Sequence, residues 1–220
     1  MLLHHPAPLL AAASAAEPPP AWFAQLMAQL AAIPERHETF REEKRLAALN
    51  RPLLSEGQLI YRRPSYLEKL TILPRKEILL VQDDQLTLTG PDGSPRELSL
   101  ASRPEIGVLV DAVGGTLSGD VRRLQRSYTV HPSGTLQDWQ LALVPIHPRV
   151  QEMLRQIVIR GSGPAIRSVL TEQANGDAQI MLIERSRSAE GPQTFAGTQA
   201  DTHQPGVAGP ARTPQAGPKP

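Results

Sequence analysis

Apolar and polar positions alternate with a period of two over much of the chain, most clearly between Leu49 and Leu88. There Leu59 and Tyr61 alternate with Gln58 and Arg62, and Leu70 and Ile72 with Lys69 and Thr71. Three clusters of turn formers divide the stretch: Arg63-Pro64-Ser65, Leu73-Pro74-Arg75 and Gln82-Asp83-Asp84-Gln85. Short alternating runs between turn signals predict consecutive antiparallel strands with one apolar face. Such a face needs a cover, so the segments outside the stretch bear on what the sheet does.

Two segments have helical period. Ala21–Ile33 follows three prolines and carries Trp22, Phe23, Leu26, Met27, Leu30 and Ile33 on one stripe, ending at Pro34. Its polar face holds Gln and Ala rather than the Lys and Arg of a membrane-surface helix, which favours packing on the sheet. Pro104–Val113 presents Ile106, Leu109, Val110 and Val113, and Gly114-Gly115 is expected to end it. Arg36–Leu49 is highly charged; its propensity is helical, but its place before the strand array reads as a first strand.

Farther on, Gly90–Pro95 closes a hairpin between Gln85–Thr89 and Arg96–Leu100. A short helix over Gly119–Leu124 precedes strands at Tyr128–His131 and Trp139–Leu143, with a turn at Pro132-Ser133-Gly134. Pro148–Met153 reads as a helical turn. Strands follow at Arg155–Arg160, Ala165–Glu172 and Ala178–Glu184, the last two joined by Asn175-Gly176-Asp177, a strong hairpin signal.

Composition narrows the function. The chain has 220 residues, with Lys+Arg 23 against Asp+Glu 22 and a net charge of +1, so no nucleic-acid groove is expected. Aromatics are only 4%, which leaves the core to Leu, Ile and Val. Absence of cysteine excludes disulfides, thiolate metal sites, cysteine nucleophiles and a lipidated N-terminal cysteine. It also fits an oxidising compartment. No apolar run reaches the roughly 20 residues needed to span a bilayer.

Residues 1–16 are read as a signal-peptide remnant, with Ala13-Ser14-Ala15 as the small-x-small cleavage pattern, although no Lys or Arg precedes it. From Ser186 onward Gly, Pro, Ala, Thr and Gln dominate, and residues 186–220 are expected to be a disordered tail. The folded domain is then 17–185. The histidines lack metal-ligand spacing, and Gly114–Gly119 lacks the Lys-Ser/Thr ending of a phosphate loop. Ser118 lies outside a G-x-S-x-G frame. No catalytic residue, metal or cofactor is expected, and the chain is read as a non-enzyme.

Several motifs recur in a familiar order: Phe40-Arg41-Glu42-Glu43-Lys44, Pro52-Leu53-Leu54-Ser55-Glu56-Gly57-Gln58-Leu59, then Tyr61-Arg62-Arg63-Pro64. Ile78-Leu79-Leu80-Val81, Leu117-Ser118-Gly119-Asp120, Trp139-Gln140-Leu141, Ile157–Gly161 and Asn175-Gly176-Asp177 complete it. Over residues 21–185 the chain resembles the outer-membrane lipoprotein carrier family, LolA-like, in a divergent branch. The resemblance implies an α+β fold: an incomplete, strongly curved antiparallel β-barrel covered by lid helices.

It further implies a periplasmic chaperone that shuttles lipoprotein acyl chains between an inner-membrane transporter and an outer-membrane acceptor, as a monomer. Two alternatives stay open: a carrier of another lipid or a polyene intermediate for an exporter, and a non-carrier interaction module. By alternation the cavity would be lined by Leu59, Tyr61, Leu70, Ile72, Leu86, Leu88, Leu98, Leu100, Leu141 and Leu143. Each of these could instead be simple core. Ile106, Leu109, Val110 and Val113 would form the lid. The resemblance makes Arg63, the arginine before a proline, a gating residue that bonds lid carbonyls. From the residues alone Arg63 points inward by alternation or snorkels to solvent.

Overall fold

The computed structural model describes residues 19–185; the expectations for 1–16 and 186–220 lie outside them. Helix α1 (Ala21–Ala31) leads into a meander of six strands: β1 (Glu35–Arg45), β2 (Leu53–Arg62), β3 (Tyr66–Leu73), β4 (Glu77–Gln82), β5 (Gln85–Thr89) and β6 (Pro95–Ser99). A single 3-10 turn at Leu100–Ser102 enters α2 (Pro104–Ser118), which is followed by α3 (Val121–Ser127). Strands β7 (Tyr128–Thr135) and β8 (Asp138–Pro145), the short α4 (Pro148–Gln151), and β9 (Leu154–Ser162), β10 (Ala165–Gln173) and β11 (Ala178–Arg185) complete the domain.

All pairings are antiparallel, and the order is β6-β5-β4-β3-β2-β1-β11-β10-β9-β8-β7. The first and last hairpin arrays therefore join through β1 and β11, leaving β6 and β7 as free edges. The sheet is open.

It is also curled. Eleven strands at about 4.8 Å spacing would hold flat edges about 48 Å apart. Yet α2, at 15 residues only about 22 Å long, packs against both ends. Val110 and Ile106 meet Val81, Leu86 and Leu98, while Ala112 and Leu117 share a core with Trp139, Leu141 and Leu143. One helix can touch both ends only if the sheet wraps round it. The domain is α+β with a curved open sheet, as the family resemblance implies.

Residues opposite one another across each antiparallel pair share a face. The concave row through Tyr61 thus runs Arg36–Tyr61–Leu67–Val81–Leu86–Leu98 from β1 to β6. The row through Leu59 carries Glu38, Lys69, Leu79, Leu88 and Arg96. Two of the expected inward residues are corrected here. Leu70 lies opposite Gln58 and Ile78, on the convex face. Ile72 is the extra residue of a bulge between the Glu56↔Leu73 and Gly57↔Thr71 pairs, and is 47% exposed. The physical reason is that Lys69, not Leu70, turns inward, where the Glu42 carboxylate neutralises it.

Other expectations shift as well. Leu100 lies in the 3-10 turn rather than on a strand, half-buried beside Val81, Leu86 and Val110. Helix α2 does not end at Gly114-Gly115 but continues to Ser118. The glycines serve close packing: a Cβ at Gly115 would meet Leu124 Cδ2 at 2.8 Å, and one at Gly114 would meet Arg123 Nη1 at 3.1 Å. The helix ends instead at Gly119, whose φ of 67° is the left-handed cap that favours glycine. Pro132-Ser133-Gly134 also stays within β7, which runs on to Thr135. Asp120 caps α3 by accepting from the Arg123 amide at 2.9 Å.

A concave cavity with one apolar and one polar wall

The concave face is unevenly filled. Around α1 the packing is dense: Leu26 and Leu30 are fully buried in one cluster with Leu141, Leu143, Ile157 and Ile159. Trp139, 1% exposed, donates from Nε1 to the Gly163 carbonyl at 2.8 Å. Tyr128 donates its hydroxyl to the Val108 carbonyl at 2.5 Å, tying β7 to α2; burial first, then the Asp111 carboxylate, raises its pKa well above the usual phenol value.

Between the N-terminal half of α2 and strands β1, β3, β4, β9, β10 and β11 lies a cavity of about 700 Å³. Its apolar wall is formed by Leu79, Ile106, Leu109, Met153, Ile157 and Met181. Its polar wall is formed by Lys44, Lys69, Thr171, Gln173, Asn175 and Gln179. Beside that wall, Glu42 is 9% exposed and fully engaged. It accepts from Ser55 Oγ at 2.9 Å, from Lys69 Nζ at 2.8 and 2.7 Å, and from Gln179 Nε2. Lys69 reaches it over the ring of Phe40, 4.9 Å from the centroid, while the Leu70 carbonyl and that ring take the space a side chain at Gly57 would need.

A second buried polar group lies at the other end of β1. Arg36 Nη1 stands 3.6 Å from Glu38 Oε1, with side chains 5% and 10% exposed. Burial dominates both: it raises the Glu38 pKa and lowers that of Arg36 against their mutual attraction. Arg36 Nε and Nη2 and the Tyr61 hydroxyl have no hydrogen-bond partner among the described residues.

None of the ten residues expected to line the cavity does so. Leu86, Leu141 and Leu143 are fully buried, Tyr61 is 4% exposed, and Leu88, Leu98 and Leu100 pack half-buried round Val81 and Leu86. Leu59 is half-buried on the concave row. Of the helix residues, Ile106 and Leu109 reach the cavity, whereas Val110 and Val113 join the packed clusters. Arg63 is exposed rather than inward, just beyond β2. Its Nη1 donates to the Ala31 carbonyl at 2.5 Å and its amide to the Pro34 carbonyl at 2.9 Å, holding the C-terminal end of α1.

Among the lining residues that sequence reasoning missed are Lys44, Lys69, Leu79, Met153, Ile157 and Met181. In β11 both faces carry apolar residues, so periodicity could not choose between Met181 and Ile180 or Leu182. In β1 both faces are charged, and Lys44 gave no signal at all.

The described residues thus form an open, curled sheet with a half-apolar cavity against a helix. The family model for the outer membrane lipoprotein carrier protein, LolA-like, matches residues 12–204, and the chain belongs to this family of carrier and binding proteins. No curated protein sequence matches it. Among solved structures it is similar to the LolA superfamily protein NE2245 from Nitrosomonas europaea, at 13% identity over 73% of this chain and 91% of that one, with a TM-score of 0.41. A DUF1329 family protein from Desulfovibrio piger matches at 9% identity over 76% of this chain and 91% of that one, with a TM-score of 0.44. A chain of the Pseudomonas aeruginosa MucA/MucB complex matches at 12% identity over 74% of this chain and 56% of that one, with a TM-score of 0.41.

Proposed function

We propose that residues 17–185 form a periplasmic carrier domain, and that it takes lipoprotein acyl chains into the cavity between the concave sheet and α2. The cargo would arrive from an inner-membrane transporter and leave to an outer-membrane acceptor. The observation that carries this reading is the cavity of about 700 Å³, roofed by Ile106 and Leu109 and walled by Leu79, Ile157 and Met181. Each methylene buried there contributes about 0.8 kcal/mol, so a single chain is held without any directional bond.

In this reading α1 and α2 act as the lid. Arg63 is the catch on α1, since its bond to Ala31 O must loosen if the helix end shifts as cargo enters. A second reading, carriage of a different lipid for an exporter, is favoured by the polar wall that includes Lys44, Lys69 and Gln179.

The test is native mass spectrometry of the full chain recovered from a periplasmic fraction, followed by lipid extraction and uptake of a fluorescent fatty acid. Co-purified acylated peptide supports the first reading, and a free lipid the second. A protein that carries nothing and takes up no fatty acid overturns both and leaves an interaction module.

A further inference from the structure

Three ionic side chains of β1 and β3 stand at the polar wall, and two of them are spent on each other. The Glu42 carboxylate already accepts from Ser55, Gln179 and both contacts of Lys69 Nζ, which uses its lone pairs and neutralises Lys69. Lys44, two residues further along β1 on the same face, forms no ion pair among the described residues. Its cross-strand neighbours are Leu53 on β2 and Gln179 on β11, and the Gln179 amide is turned to Glu42. Glu152 also lines the cavity but is exposed and is not within ion-pair distance of Lys44.

A half-buried ammonium beside an apolar wall is stabilised by an anion that arrives with an apolar tail. The volume, about 700 Å³, lies within the range of about 300–1,000 Å³ typical of a site for one small ligand.

We infer that the cavity takes a single-chain acidic amphiphile, with Lys44 as counter-ion to its carboxylate or phosphate and the chain laid along Leu79, Ile106, Leu109 and Met181. The inference rests on the second carrier reading, carriage of a different lipid, and adds the charge of that cargo to it. Lysine suits the role because its ammonium is a compact charge on a flexible stem and accepts either oxyanion without bidentate geometry.

The experiment titrates the full chain at low salt with hexadecanoic acid, its methyl ester and hexadecyl phosphate, each by displacement of a fluorescent fatty acid. The acid, the phosphate or both should bind about tenfold or more tightly than the ester, the low end of what a hydrogen bond to a charged group contributes. Which of the two is tighter identifies the head group. Lys44→Met should bring the anionic probes down to the level of the ester, and Lys44→Arg should keep the preference. Equal binding of acid, phosphate and ester overturns the inference and leaves the carrier reading intact, as does a preference that survives Lys44→Met. Failure of every probe to bind overturns the carrier reading itself.

Discussion

Two parts of one concave face use similar residues to different ends. Against α1, the leucines and isoleucines of β8 and β9 interlock with Leu26 and Leu30 until nothing is exposed. Under the first turns of α2, Val81 and Leu86 are sealed, but Leu67, Leu79, Leu88 and Leu98 are only partly covered, and the cavity opens beside Leu79. The filled part gains from dispersion and burial at once, whereas the open part forgoes much of the dispersion. A carrier needs both: one part to hold the fold, another that can receive an apolar guest without first emptying itself.

If this contrast is right, the largest loss should come from the filled side. Trp139→Ala should cost about 3–5 kcal/mol, through the cavity left in the core and the lost bond to Gly163. Urea midpoints measure it, and a loss under about 1 kcal/mol would be that of a loosely packed site.

The buried pair at the other end of β1 comes next. Glu38→Gln leaves the Arg36 guanidinium without its carboxylate and should destabilise by about 3 kcal/mol. Replacing both, Arg36→Met with Glu38→Leu, should recover most of that, because burial outweighs attraction in this pair. Burial holds the Glu38 carboxyl above its ordinary value of 4.5, so the folded protein binds that proton more tightly than the unfolded chain. Its contribution to stability therefore falls as pH rises from that value through the folded one, and the fall should vanish in Glu38→Gln. Stability measured against pH in the two proteins checks the sign.

Gly115→Ala probes the helix contact that replaced the expected helix end. The added methyl meets Leu124 at 2.8 Å, and the overpacking should cost about 1–3 kcal/mol despite the better helix propensity of alanine. A stabilised variant, read from its melting temperature, would show that α3 yields freely. The smallest stability effect is expected at Leu79→Ala, under about 1 kcal/mol because the site already borders open volume. Its binding of a fluorescent fatty acid should nonetheless weaken, and that combination would separate a cavity wall from a core position.

Much of the architecture was legible in the linear pattern. Period-two runs separated by turn formers located the strands, the apolar stripe of α1 was plain, and Asn175-Gly176 marked its hairpin. Even β1 was readable from its position, although ERHETFREEKR has helical propensity. The candidate site was not legible, and β3 shows why. Alternation divides Leu70 from Lys69 but does not say which side is the inside; burying the leucine is the natural choice, and the ion pair with Glu42 reverses it.

What the sequence determined by itself was local: strand positions, most of the turns, helix stripes and the absence of cysteine chemistry, all of which depend on neighbours along the chain. Tertiary structure decided the curl of the sheet, which row faces α2, which leucines are filled core, and that Lys44 stands without an ion-pair partner among the described residues. Those outcomes depend on pairing residues as distant as Glu42 and Gln179, and on the volume left over once the helices have packed. A residual volume is a property of the whole assembly, so no single segment carries its signature.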